Sequence, residues 1–147
     1  MFANLSRYQP QALGLLRIMS GLLFLEHGTQ KFLSFPPGQM AGLGLTLAGP
    51  PAYAGIIELV AGTLIALGLF TRPAAFVASG TMAVAYFMAH APQGNMMAPM
   101  LNGGELAALY SFIFLLFAVT GPGALSLDAR KGSSSRRRGG LVLKETT

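Results

Sequence analysis

The chain has 147 residues, one domain's worth, with 52% hydrophobic and only 10% charged side chains against about 25% charged in ordinary globular proteins. Residues 12–127 hold just six charges, Arg17, Lys31 and Arg72 against Glu26, Glu58 and Glu105, so the whole net charge of +5 comes from the two ends. That balance excludes a disordered chain, a soluble enzyme and a generally basic nucleic-acid binder, and it leaves a multi-spanning membrane protein with a basic tail.

Four apolar stretches follow one another, bounded by polar residues or by Pro and Gly. The first runs from Leu13 to Leu33. No cleavable leader is expected, because this stretch is about twenty residues long and ends without a small-x-small cleavage site. Gly14, Gly21 and Gly28 recur every seven residues along it, and Arg17, Phe24 and Lys31 fall at the three-residue offset. Such a face packs on protein, since glycine lets backbones approach where apolar burial gives membrane helices no drive to associate. Arg17 sits about 6 Å from the inner end and is expected to snorkel to the inner interface, with Asp128 as a partner. Glu26 falls opposite the glycines. A protonated carboxyl, a subunit contact and a rotated helix all remain open as explanations.

The connector 34–51 holds Pro36, Pro37, Pro50 and Pro51 and no charge, and it suits a short re-entrant or interfacial element. The second stretch, Ala52–Phe70, repeats the glycine device with Gly55 and Gly62, and Glu58 lies between them. The third, Ala74–Ala91, carries Ala75 and Ser79 on a small-residue face leading to Met82, Tyr86 and His90. The connector 92–103 is again uncharged and helix-broken. The fourth stretch, Gly104–Gly121, has Glu105 at its start, flanked by Asn102. The last two are short for a bilayer of about 30 Å, so interfacial ends or local thinning are expected. The fold class is all-α, an integral membrane antiparallel four-helix bundle over residues 1–128. Residues 129–147 form a disordered basic cytoplasmic tail.

Arg7, Arg72 and the tail's basic residues share one side of this topology, so both termini are cytoplasmic by the positive-inside rule. Counting about 1.5 Å per residue places His27 and Glu58 about 9 Å inside the outer boundary and Lys31 and His90 within about 3 Å of it. His27, Lys31, Glu58, His90, Asn102 and Glu105 therefore gather in the outer leaflet, and with Tyr86, which would pack a bound ring, they are the expected pocket. Each ionisable group has two readings. Lys31 and Glu58 form a structural ion pair or handle protons. Glu105 is favoured by a helix dipole or joins the pocket. The histidines are satisfied interfacial side chains or a proton relay. A bis-histidine haem is disfavoured by a depth difference of about 7 Å between His27 and His90. With no cysteine, iron–sulfur and zinc-thiolate sites are excluded. Met88, Met96, Met97 and Met100 read as adaptable apolar packing ahead of a Cu(I) site. No metal and no nucleic-acid partner is expected, and the tail is drawn to anionic lipid.

Arg17, Gly21, Phe24, His27-Gly28 and Lys31 together resemble the signature of the DoxX family. So do Glu58 with Gly62 and Gly68, the Thr71-Arg72 turn, Asn102-Gly103-Gly104-Glu105, and the closing Gly121-Pro122-Gly123-Ala124-Leu125-Ser126-Leu127-Asp128. The resemblance covers residues 13–128. It implies a four-helix inner-membrane protein associated with oxidoreductases, through thiosulfate:quinone oxidoreductase in some members and membrane complexes for oxidative-stress defence in others. It assigns no catalytic residue. Three functions follow in order: a redox subunit contacting quinone or quinol in the outer pocket, a non-catalytic scaffold recruiting membrane or peripheral redox enzymes, and a small-molecule transporter, which four helices would serve as a homo-oligomer.

Overall fold

The computed structural model describes residues 2–43 and 49–130. Among these there is no strand. A 3-10 segment, Phe2–Tyr8, leads into helix α1, Gln9–Leu33; α2 is Pro50–Leu67, α3 is Thr71–Ala85 and α4 is Glu105–Thr120. A π turn, Tyr86–His90, and a 3-10 turn, Ala91–Gln93, prolong α3. The basic tail expected from residue 129 lies outside the described residues beyond Arg130, and residues 127–130 form one helical turn.

The helix ends depart from the sequence pattern for local reasons. Helix α1 begins before Leu13 because Pro10 lies in its first turn, where a missing N–H costs nothing. Helix α2 likewise opens on Pro50 and Pro51. It stops short of Phe70 because Gly68 turns left-handed at φ 67°. The N–H groups of Gly68 and Leu69 then return to the carbonyls of Ile65 and Leu64, at 3.0 and 2.9 Å. Helix α3 starts at Thr71, earlier than Ala74, because of a distant partner. The Asp128 carboxylate accepts from the N–H groups of Phe70 and Thr71 and from the Thr71 hydroxyl, at 2.9–3.0 Å. This satisfies donors that a helix N-terminus otherwise leaves open.

Successive helices run in opposite directions. Gly21 faces Ala66, while Gly28 faces Leu59 and Gly55, so α1 and α2 are antiparallel. A methyl group at Gly21 would stand 2.6 Å from the Ala66 nitrogen, and one at Gly62 would stand 2.8 Å from the Leu25 nitrogen. The seam of Gly14, Arg17, Gly21, Gly28, Gly55 and Gly62 is buried throughout. Helix α3 lies against α4, where the Ser79 hydroxyl donates to the Ser111 carbonyl at 2.7 Å. Between the helices Phe24, Ile65, Phe114 and Phe117 are fully buried. Phe24 meets Phe114 edge-on with ring centroids 4.7 Å apart.

The polarity is inverted relative to a water-soluble domain. Phe76 and Phe112 are 69% and 71% exposed, and large apolar side chains cover every helix's outer face. Arg17, Lys31 and Glu58 are 0%, 5% and 3% exposed. A water-facing surface does not carry this much contiguous apolar area. Two helical segments, Pro50–Leu67 and Thr71–Gln93, are long and apolar enough to cross a bilayer. Helix α4 is apolar and shorter, at 16 residues.

Candidate functional site: a cavity on a buried ion pair

A cavity of about 700 Å³ opens at the connector end of the helices, within the roughly 300–1,000 Å³ usual for small-molecule sites. Helix α1 contributes His27 and Lys31; α2 contributes Tyr53, Ala54, Ile57 and Glu58. Helix α3 and its π turn contribute the run from Gly80 to Ala85 apart from Ala83, then Met88, Ala89 and His90. Leu106, Ala107 and Tyr110 come from α4, while Met40 and Gly103 reach it from the connectors. The walls are mostly apolar.

The polar feature is the pair Lys31–Glu58. The Lys31 ammonium donates to both carboxylate oxygens at 2.6 Å. Helix register explains the meeting. Lys31 sits one turn beyond Gly28, and its stem passes Gly55, where a side chain would stand 3.2 Å from the Lys31 Cδ. The glycine that allows close helix packing thus also leaves room for the lysine. Two of the three ammonium protons serve Glu58, which leaves one for an acceptor in the cavity. Tyr110 stacks on Phe114 at 5.3 Å and meets the His27 ring edge-on at 6.3 Å. Its hydroxyl makes no hydrogen bond among the described residues.

The DoxX family model matches residues 12–91, a span that includes the whole α1–α2 seam and both members of the ion pair. The chain belongs to the DoxX family. It is 49% identical to an uncharacterized protein of Haemophilus influenzae over 85% of this chain and 94% of that one. It is 34% identical to an uncharacterized membrane protein of Mycobacterium tuberculosis over 82% of each chain. It is 36% identical to the inner membrane protein YphA of Escherichia coli over 83% of this chain and 91% of that one. No solved structure matches significantly. This DoxX chain is a membrane protein, and its apolar exterior has that environment as its cause.

Of the seven pocket residues expected from the DoxX sequence, His27, Lys31, Glu58 and His90 line the cavity. Tyr86, Asn102 and Glu105 do not. The Tyr86 hydroxyl donates to the Met96 carbonyl at 2.6 Å. The Asn102 amide donates to Tyr86 and to the Asn95 carbonyl, both at 3.2 Å, and its oxygen accepts from the Gly104 N–H at 2.9 Å. These two side chains pin the connector between α3 and α4. Glu105 is exposed at the first position of α4, where the helix dipole favours a carboxylate. Sequence reasoning missed Tyr53 and Tyr110. The one signal the sequence offers for Tyr110 is its hydroxyl, beside that of Ser111, inside an apolar run.

Arg17 does not snorkel. All five guanidinium N–H groups find backbone carbonyls: Ile65 and Ala66 at the end of α2, and Pro122, Ala124 and Leu125 after α4, at 2.6–3.4 Å. Asp128 caps α3, and its charge acts on Arg17 as well. Arg17 is therefore a structural knot at the end carrying the termini, remote from the cavity. Glu26 is exposed beside a smaller crevice of about 240 Å³ that it shares with His27 and Tyr110.

Proposed function

We propose that this DoxX protein is a membrane subunit that holds a quinone or quinol ring in the cavity above Lys31 and Glu58. The observation that carries the reading is the buried ion pair lining a mostly apolar cavity. A lipid-soluble ring with polar oxygens matches such a site: its body occupies apolar walls, and one oxygen meets the spare ammonium proton. Glu58 and His27 are the groups that would take up or release protons, which needs about 3 Å between titratable group and oxygen. Electrons would be exchanged with a partner redox subunit. Gentle purification from native membranes followed by solvent extraction should recover about one quinone per chain. Recovery no higher than from an unrelated membrane protein would sink the reading.

Glu26, a carboxylate exposed on an otherwise apolar face, favours a second reading, a scaffold that binds other subunits or further copies of itself. Stable partners recovered without any quinone would select it.

We also propose four membrane spans with both termini in the cytoplasm. The support is that Arg7, Arg72 and Arg130 accompany the end carrying the termini, while the connectors carry no charge. A fluorescent protein fused after Thr147 should fluoresce, and an alkaline phosphatase fused there should be inactive. The reverse pattern would overturn the orientation.

A further inference from the structure

We infer that Gly80 is a ligand subsite: the place where a flat, lipid-soluble ring rests against the backbone of α3, having entered sideways between α2 and α3. The inference rests on the ring-binding reading above and adds a residue and a route to it.

The first observation is a glycine without a protein reason. Gly21, Gly28 and Gly62 each stand against a neighbouring backbone, so no side chain fits there. Gly80 lies within α3, and a methyl group placed on it would meet nothing within 4 Å. Glycine inside a helix costs about 0.5–1 kcal/mol relative to alanine. No packing contact offsets that cost at Gly80. Yet Gly80 lines the cavity. The space it leaves is space belonging to whatever fills the cavity, and a bare Cα suits the face of a planar ring.

The second observation is where the cavity opens. Helices α2 and α3 are joined by a tight turn after Gly68, and the cavity separates them further along. Its lining there includes Tyr53 on α2 and Val84 and Met88 on α3. All three are exposed on the same apolar exterior that faces the membrane. A ligand dissolved among acyl chains meets these exposed residues first, with Gly80, itself exposed, on α3 and the buried ion pair further in.

The test compares the wild type with Gly80→Leu and with Val77→Leu, which adds bulk on the exposed side of α3 outside the cavity. Each protein is purified gently, its lipophilic molecules are extracted and identified by mass spectrometry, and its thermal unfolding is followed. Gly80→Leu should fold with an unchanged or higher Tm and carry at least tenfold less of the resident lipophile, while Val77→Leu keeps the wild-type content. If the lost molecule is a quinone, both proposals stand. If it is another lipophile, the Gly80 subsite stands and the quinone reading falls. Wild-type content in Gly80→Leu overturns the subsite, whatever the molecule. So does an empty wild type, equal loss in Val77→Leu, or a Tm several degrees lower in Gly80→Leu, which would show that the space is not free.

Discussion

Replacing Arg17 with methionine should lower stability by about 3–5 kcal/mol, as when one side of a buried charge interaction is removed. The reason lies in donor arithmetic. A guanidinium has five N–H groups in a rigid fork, and in this chain every one is taken by a carbonyl. Two of those carbonyls, of Ile65 and Ala66, end α2, where the dipole is negative and where Ile65 would keep only the Gly68 N–H. The others belong to the segment that follows α4. Methionine fills a similar volume but leaves buried acceptors empty, each at a cost of about 1–3 kcal/mol where water does not reach. Arg17→Lys should recover only part of the loss, because an ammonium offers three protons from a single point. Thermal unfolding in detergent checks this. A midpoint for Arg17→Met within a degree or two of the wild type would show that the carbonyls find other partners.

The contrast between Arg17 and Lys31 shows what was legible beforehand. Both stand at the same offset from the seven-residue glycine pattern of α1, and the pattern marks both as buried against protein. It also aligns Lys31 with Glu58, because both helices repeat the glycine spacing. Local pattern cannot show partners supplied by distant backbone. Arg17 is bound by carbonyls more than one hundred residues along the chain, and carbonyls are the same at every position of a sequence. Asp128 caps α3 across 57 residues, so the start of that helix is hidden from any window around Thr71. Asn102 shares polarity and depth with the cavity residues, and Tyr86 continues the small-residue face that leads to His90. The π turn carries Tyr86 into the hydrogen bonds of the connector, which counting residues along a regular helix does not foresee. Tyr110 is the converse case: it looks like one more apolar residue of α4, yet it lies on the cavity wall.

The ion pair is where structural and functional roles can be separated by experiment. Either single change, Glu58→Leu or Lys31→Met, should destabilise the protein by about 3–5 kcal/mol, because each leaves a buried partner without its counter-charge. The double change Lys31→Met with Glu58→Leu removes both charges and keeps the volume, so its stability should return close to the wild type or exceed it. The resulting double-mutant cycle gives the coupling between the two side chains, free of most effects on the rest of the fold. Ligand content then decides the role. If the pair only locks α1 to α2, the restored double variant keeps whatever the cavity binds. If Lys31 offers its third proton to a ring oxygen, the double variant is stable and empty. Stable single variants would remove the premise altogether, since they would show that the 2.6 Å contacts contribute little in the membrane-embedded chain. A stable, empty double variant would place the recognition chemistry in these two side chains and the fold in the glycine seam around them.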